Sequence, residues 1–379
     1  MRKIQMVDLQ EQYRHIKTEV DAAMMEVMES CAFINGPAVR RFQENLEAYL
    51  SVKHVIPCGN GTDALQVALM ALDLQPGDEV ITTTFTFIAT AEVIALLGLT
   101  PVLVDVYPDT FNMDIEAVER AITAKTKAII PVHLFGQCVD MERLMAVAKK
   151  YNLHVVEDTC QAIGADYTFS DGSVKKAGTM GTMGCTSFFP SKNLGCYGDG
   201  GAIFTHDDEL AHKLRGIVNH GMFVRYYHDM VGVNSRLDSL QAAVLDIKLK
   251  RLDKYNENRQ RAASYYSAAF ADNPHIQTPI TASFTNHVFH QYTLILNKID
   301  RDKLIQYMSG KQIPVMIYYP VPLHLQKAYK DERYKQGDFP VSENLASSVI
   351  SLPMHTELDE EQLAYITSSL SAGCGIAKI

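Results

Sequence analysis

The chain of 379 residues lacks an excess of positive charge, a long apolar run, a paired-cysteine motif, internal repeats and low-complexity linkers. Its formal net charge is -9, so the basic footprint of a nucleic-acid binder is missing, and the acidic balance bears on solubility rather than on partners. The longest apolar stretches, such as Val93 to Leu99, fall far short of a membrane span, so no membrane partner is expected. Met1 to Gln10 mixes charges with single apolar residues and has no apolar segment of the kind a signal peptide needs. The cysteines (31, 58, 138, 160, 185, 196 and 374) are odd in number and include no C-x-x-C pair. That argues against a disulfide framework or a metal site and for a reducing compartment; the expectation is a cytoplasmic protein.

What is present is ordinary for a folded enzyme-sized chain. A content of 47% hydrophobic and 21% charged residues predicts a packed core. The length suits two domains, or a large α/β domain with a smaller partner. From about Lys53, short apolar runs alternate with helix-period segments. Strand patterns at His54–Pro57, Glu79–Thr82, Pro101–Asp105, Lys127–Val132 and Leu153–Glu157 are separated by helix patterns at Ala64–Leu72, Ala89–Leu97, Ile115–Ile122 and Met141–Lys150. Such alternation predicts right-handed crossovers and a mostly parallel sheet, with ligands beyond the carboxyl ends of the strands. After Arg236 one long helical pattern runs from Leu237 toward Tyr265, its apolar stripe interrupted by Lys248. A strand at Gln291–Leu296, a helix at Arg301–Met308, a strand at Ile313–Tyr318 and a final helix at Asp359–Leu370 then predict a smaller α+β unit. The division is placed at 1–250 and 251–379.

Three segments carry chemistry. Gly59-Asn60-Gly61-Thr62 lies between a strand and a helix, where free amides of a helix start can bind an anion and the Thr62 hydroxyl can add a bond. Taken alone, the plainer reading is a strand-to-helix turn with Thr62 as N-cap. Asp158 follows Val155-Val156-Glu157 at the end of a buried strand. A carboxylate there calls for a cationic partner such as a pyridinium N–H, or else caps the next turn. Most lysines are solvated surface charges. Lys192, however, follows an aromatic strand, Ser187-Phe188-Phe189, and precedes Gly195-Cys196-Tyr197-Gly198-Asp199-Gly200-Gly201. A lysine fixed at a strand end, poor in solvent and followed by glycines that let a bulky cofactor approach, suits attack on a carbonyl as a neutral amine.

Asp158, Lys192 and the upstream phosphate turn are spaced as in fold-type I pyridoxal-phosphate enzymes. Over nearly its whole length the chain resembles the sugar-nucleotide aminotransferases of the DegT/DnrJ/EryC/StrS group. The resemblance rests on Asn35-Gly36-Pro37, Gly59 to Leu65, Thr84-Phe85-Thr86-Phe87, Glu157-Asp158, Gln161-Ala162, the lysine loop, Asn219-His220-Gly221, Val233-Asn234-Ser235-Arg236 and Tyr319-Pro320-Val321-Pro322-Leu323-His324. Cys185 to Lys192, Gly195 to Thr205 and Val231 to Asp238 are similar to enzymes that aminate UDP-2-acetamido-2-deoxy-hex-3-uluronic acid at C3.

The resemblance implies an α/β fold with a large, mostly parallel sheet and a smaller C-terminal α+β unit. It implies that pyridoxal 5'-phosphate is held covalently by Lys192, with Asp158 on the ring nitrogen and Gln161 near the ring hydroxyl. Gly61, Thr62 and Ser187 then hold the phosphate, and Phe87 stacks on the ring, with Phe85 as the alternative. Asn234 reaches the phosphate from a neighbouring subunit, which implies a homodimer with shared active sites. Arg236, assisted by Tyr318 and Tyr319, is the candidate for the sugar carboxylate, because guanidinium binds carboxylate bidentately; without the family it reads as a helix-start arginine paired with Asp238. The relatives carry His where Tyr318 stands. L-glutamate is the implied donor and a UDP-keto sugar the acceptor, for lipopolysaccharide or another surface polymer. A 4-keto-6-deoxy sugar aminotransferase and a cofactor-binding regulator without turnover are the alternatives. His133, His154, His220 and His324 are read as structural.

Overall fold

The apolar runs between helix-period segments become strands of one central sheet. In the computed structural model, residues 2–379 are described, and Met1, the first residue of the segment read for a signal, lies outside them. The sheet contains β1 (His54–Cys58), β2 (Glu79–Thr83), β3 (Thr100–Val104), β4 (Thr126–Ile130), β5 (His154–Asp158), β6 (Met183–Ser187) and β7 (Gly201–Thr205), in the order β1-β7-β6-β5-β4-β2-β3. β2 to β6 pair in parallel, whereas β7 runs antiparallel to both β1 and β6. The sheet is therefore mostly parallel, as the alternation requires. Its one reversed strand comes from the end of the glycine run, where the sequence reading places no strand.

Successive residues of a strand feed opposite faces. Ile129 and Val155 pack with Val118, Met141 and Leu144 of α5 (Ile115–Ala121) and α6 (Met141–Tyr151). Their neighbours Ile130 and Val156 pack with Leu65, Leu69 and Leu214 of α3 (Gly61–Ala71) and α7 (Asp208–Ile217). Covering both faces explains why these strands read as continuous apolar runs. Asp114, Asp140 and Asp207 start α5, α6 and α7 by accepting backbone amides at the N-cap. α1 (Leu9–Ser30), α2 (Pro37–Leu50) and α8 (Ser239–Leu249) close over the β1/β7 end through Val27, Phe42, Leu46 and Leu245. α4 (Ala89–Leu96) follows β2.

A second, antiparallel sheet of β8 (Ile276–Gln277), β9 (Tyr292–Leu296) and β10 (Val349–Leu352) packs with α9 (Leu252–Phe270), α10 (Arg301–Gly310) and α12 (Glu360–Ile376). Ile4, from the other end of the chain, joins this cluster. α11 (Pro340–Ser348) precedes β10. We propose the domain boundary near residue 250, where α8 gives way to α9.

Two expected elements differ. The single long helix from Leu237 to Tyr265 is two helices, α8 and α9. The Arg251 amide closes on the Lys248 carbonyl three residues back, at 2.9 Å, so the α-pattern breaks there. The strand expected at Ile313–Tyr318 makes only an isolated bridge, in which Met316 and Ser351 exchange both backbone bonds at 3.1 and 2.7 Å. Pro314 has no amide to give a ladder, and Pro320 and Pro322 follow directly. Lys248, the flaw in the apolar stripe, is buried. Its Nζ donates to the Gly195 carbonyl at 2.6 Å and sits 5.3 Å from the centre of the Tyr197 ring.

Candidate active site

The carboxyl ends of β5 and β6, the start of α3 and the segment leading into α4 surround a cavity of about 600 Å³. That volume lies within the usual range for small-molecule sites. A depression of about 700 Å³ opens at the opposite edge, among Asp78, Thr123 to Lys127 and Tyr151 to His154. Those residues precede or begin β2, β4 and β5, the end of a parallel sheet where ligands are not expected. Gly61, Thr62, Phe87, Asp158, Gln161, Ser187, Lys192, Tyr318 and Tyr319 all line the first cavity.

The phosphate turn follows from how α3 begins. Asn60, not Thr62, is the N-cap: its side chain accepts the Asp63 amide at 2.8 Å and its carbonyl the Ala64 amide at 3.0 Å. This leaves the first two amides, Gly61 and Thr62, without helical partners, and puts the Thr62 hydroxyl on the cavity wall. A Cβ at Gly61 would lie 2.6 Å from the Ser187 Cβ. Only glycine lets the helix start pack against the end of β6, and that contact brings the Ser187 hydroxyl beside the amides. The arrangement suits a dianionic phosphate.

Across the cavity, Asp158 is buried at the end of β5. Its Oδ2 accepts from the Thr90 hydroxyl at 2.8 Å and its Oδ1 from the Cys160 amide at 3.2 Å. Both donors are neutral, and no ion pair forms to Asp158 among the described residues. Gln161 bridges two elements: its Oε1 accepts the Phe135 amide at 2.8 Å and its Nε2 donates to the Tyr319 hydroxyl at 2.9 Å. The Tyr319 proton is thereby free to point elsewhere, and burial pushes this phenol well up from its ordinary value. Of the two phenylalanines, Phe87 exposes 55% of its surface at the cavity, with its ring 6.3 Å from that of Tyr319. Phe85 is fully buried and packs with Phe111 and Tyr319.

Lys192 projects from a turn just past β6, where its amide donates to the Phe189 carbonyl at 2.8 Å. The aromatic strand expected before it stops at Ser187; Phe188 is core and Phe189 is exposed at the cavity. Burial lowers the Lys192 ammonium from its usual range, against the pull of Cys160 and Asp158, which favours the neutral amine. The glycines serve a purpose other than the one the sequence suggests. A Cβ at Gly201 would lie 2.4 Å from the Asn60 carbonyl oxygen and 3.0 Å from the Gly61 nitrogen. The close approach is of backbone to backbone, locking β7 against the phosphate turn.

Two candidates lie off this wall. Asn234 is exposed and pairs by a backbone bridge with Asn219; Arg236 donates to the Asn219 side chain at 3.4 Å, not to Asp238. Between them, Ser235 is buried, accepting the Gly59 amide at 2.9 Å and donating to Asp63 at 2.6 Å. The segment is thus pinned behind the phosphate turn of its own chain. Cavity residues the sequence reading passed over are Thr86, Cys160, Phe189, Asp199, His290 and Gln291. The pair His290-Gln291 was findable, because it leads into β9 as a polar step before an apolar strand. Burial pushes His290 well down, helped by the positive charges of Lys192 and Arg259, so it stays neutral. His133 is structural in its bonding: its Nε2 meets the buried Glu157 at 2.8 Å while its Nδ1 accepts the Val139 amide. His324 is likewise tied, to Thr84 and Glu343. No group of acidic, His and Cys side chains suited to a metal occurs among the described residues. No helix among them is long and apolar enough to cross a membrane.

Residues 14–371 match the DegT/DnrJ/EryC1/StrS aminotransferase family. A pleiotropic regulatory protein of Geobacillus stearothermophilus is 48% identical over 97% of this chain and 98% of its own length. The UDP-2-acetamido-2-deoxy-3-oxo-D-glucuronate aminotransferase of Pseudomonas aeruginosa is 44% identical over 97% and 99% of the two chains. The crystal structure of DesV from S. venezuelae superposes with a TM-score of 0.94 at 39% identity, over 98% of each chain. More distant relatives are named for dTDP and GDP sugars. They include a dTDP-3-amino-3,4,6-trideoxy-alpha-D-glucose transaminase of Streptomyces venezuelae (39% identity, 95% of this chain and 93% of its own) and the GDP-perosamine synthase of Caulobacter vibrioides (36%, 88% and 90%).

Proposed function

The chain belongs to the DegT/DnrJ/EryC1/StrS aminotransferase family, and from that membership we propose that it transfers an amino group from L-glutamate to C3 of UDP-2-acetamido-2-deoxy-hex-3-uluronic acid. Membership makes it a pyridoxal-phosphate-dependent sugar aminotransferase; the sugar, the donor and the residue roles are the proposal. One observation carries the roles. Among the described residues, a single cavity holds a lysine whose burial favours the neutral amine, a buried acid that forms no ion pair, and two amides at a helix start without a hydrogen-bond partner.

This set fits the cofactor. Gly61 and Thr62, with Ser187, would hold its phosphate; Asp158 would keep its ring nitrogen protonated; Gln161 would serve the ring hydroxyl and Phe87 the ring face. Bound pyridoxal phosphate supplies the electron sink for breaking a bond at the donor α-carbon. Lys192 anchors the cofactor covalently. Its freed amine would be the group placed to take and return a proton at the donor α-carbon. One side chain thus acts as anchor and then as general acid and base.

The substrate reading rests on charge. Among the described residues lining the cavity, Lys192 is the sole Lys or Arg, against Asp158 and Asp199. A uronic acid nucleotide brings a carboxylate and a diphosphate, so cations must enter from outside this wall. Arg236 and Asn234 of a neighbouring subunit would supply a cation and a polar contact, with Tyr318 and Tyr319 as hydroxyl donors, in a cytoplasmic homodimer with shared sites. The product would serve lipopolysaccharide or another surface polysaccharide. Arg236→Ala should cut kcat/KM for the uronic acid by about tenfold to a hundredfold, the worth of hydrogen bonds to a charged group, and spare a neutral keto sugar. Equal losses on both substrates would defeat the carboxylate assignment. A second reading is a neutral 4-keto-6-deoxy sugar; the dTDP relative, named for a 3-amino-3,4,6-trideoxy sugar, supports a deoxy sugar without a carboxylate but not the 4-position; turnover of the 4-keto-6-deoxy sugar alone would establish it. A regulator without turnover, a reading in line with the regulatory name of the Geobacillus relative, predicts bound-cofactor absorbance unchanged by L-glutamate.

A further inference from the structure

Asp158 is steered by a hydroxyl that comes from a different element. Thr90, in the first turn of α4, is fully buried, and its Oγ1 lies 2.8 Å from Asp158 Oδ2. An ionised carboxylate only accepts, so Thr90 is the donor and its one proton is committed. Thr86 lies four residues earlier, in the bend before α4, its Oγ1 3.5 Å from that of Thr90. With the Thr90 proton spent, only Thr86 can donate in that contact, which fixes the direction as Thr86 to Thr90 to Asp158. The other carboxylate oxygen is held by the Cys160 amide. An aspartate's terminal torsion is broad and roughly two-fold, so one anchor would leave the carboxylate plane free to swing. Two anchors, one per oxygen and from opposite sides, do not.

We propose that Thr90 is a positioning residue for Asp158, setting its carboxylate plane so that the remaining lone pairs face the cofactor ring nitrogen. The assignment rests on the reading of Asp158 given above. Thr90 is not among the cavity-lining residues; it would act through the acid.

The test uses holoenzyme of Thr90→Val, Thr90→Ser and Asp158→Asn, with Thr90→Ala held as a second hydroxyl deletion should Val fail to fold. Three readouts are taken: the absorbance spectrum of the bound cofactor, the single-turnover rate with L-glutamate, and kcat and KM separately. Thr90→Val should slow the half-reaction by about tenfold or more, alter the spectrum in the direction Asp158→Asn alters it, and leave the donor KM within about twofold. Thr90→Ser, which keeps the hydroxyl, should stay within about threefold of the parent. If Thr90→Val or Ala matches the parent while Asp158→Asn is crippled, Thr90 has no positioning role and the reading of Asp158 survives. If Thr90→Ser is as slow as Val, packing of the methyl group matters and the proposal fails. If Asp158→Asn matches the parent in spectrum and rate, the acid itself is misassigned and the proposal falls with it.

Discussion

Lys248→Met should change how stability depends on pH, and the structure gives both sign and size. The ammonium is buried beneath the lysine loop, bonded to the Gly195 carbonyl, and forms no ion pair among the described residues. Burial pushes its pKa down to about 8, against roughly 10.4 in an unfolded chain. Between those values the unfolded chain holds a proton that the folded chain has released, so stability rises with pH through the window. The whole displacement is worth about 3 kcal/mol, of which about 2 kcal/mol falls between pH 7 and 9.5. Methionine has no such titration. It also leaves the Gly195 carbonyl without a donor, but a neutral lysine still donates, so that loss of about 1–3 kcal/mol is the same at every pH. Urea denaturation of cofactor-free wild type and Lys248→Met at several pH values isolates the effect, because other titrations cancel in the difference. The wild type should gain on the variant by about 2 kcal/mol from pH 7 to 9.5. A flat difference, or one that shrinks with pH, would refute a charged, desolvated Lys248.

Three further outcomes follow from packing and bonding. Gly201→Ala should weaken cofactor binding and lower the unfolding free energy by about 1–3 kcal/mol, because its methyl would lie 2.4 Å from the Asn60 carbonyl oxygen. Gly310→Ala, with nothing within 4 Å, should instead be neutral or stabilise by about 0.5 kcal/mol; denaturation midpoints of the two variants separate close approach from glycine content. Glu157→Gln should destabilise by about 3 kcal/mol or more, since an amide NH₂ would face donors on whichever side it took. Retention of the wild-type melting temperature would mean that the carboxylate is not the acceptor drawn here.

Much of this was readable from order alone, and the failures have physical causes. The strands β1 to β5 and helices α3 to α6 emerge from period and length, because burial on both faces forces continuous apolar runs. The reversed strand β7 was hidden because Gly201-Ala202 gives little β signal; what makes it a strand is pairing with β1 and β6. The break between α8 and α9 was signalled only by Lys248, whose partner is a carbonyl distant in sequence. Of the site, residues flagged by their own local setting, Lys192, Asp158 and the Gly61-Thr62 turn, come together on one cavity. Cys160 and Thr90 were not flagged, because their meaning comes from elements far apart in the chain; His290 and Gln291 carried only the polar step into β9. Thr90 is 68 residues from Asp158, with no local irregularity to mark it.

The pair Glu157-Asp158 shows why geometry had to finish what sequence began. Both are acids at the end of one buried strand, and as letters they are equally suspicious. Alternation sends them to opposite faces, and there the fold treats them differently. Glu157 accepts from the amides of Met180 and Gly181 on one oxygen and from the Gly178 amide and His133 on the other. Four donors meet roughly four lone-pair sites, so its charge is compensated by the fold and it has nothing left to offer a ligand. Asp158 accepts two bonds from neutral groups and faces a cavity. A buried carboxylate left with open lone pairs costs stability unless a cation arrives. The chain keeps that cost at one of two neighbouring acids and removes it at the other. Saturation by donors, which no single-sequence pattern reports, is what separates the acid whose lone pairs the fold fills from the one left open to the cavity.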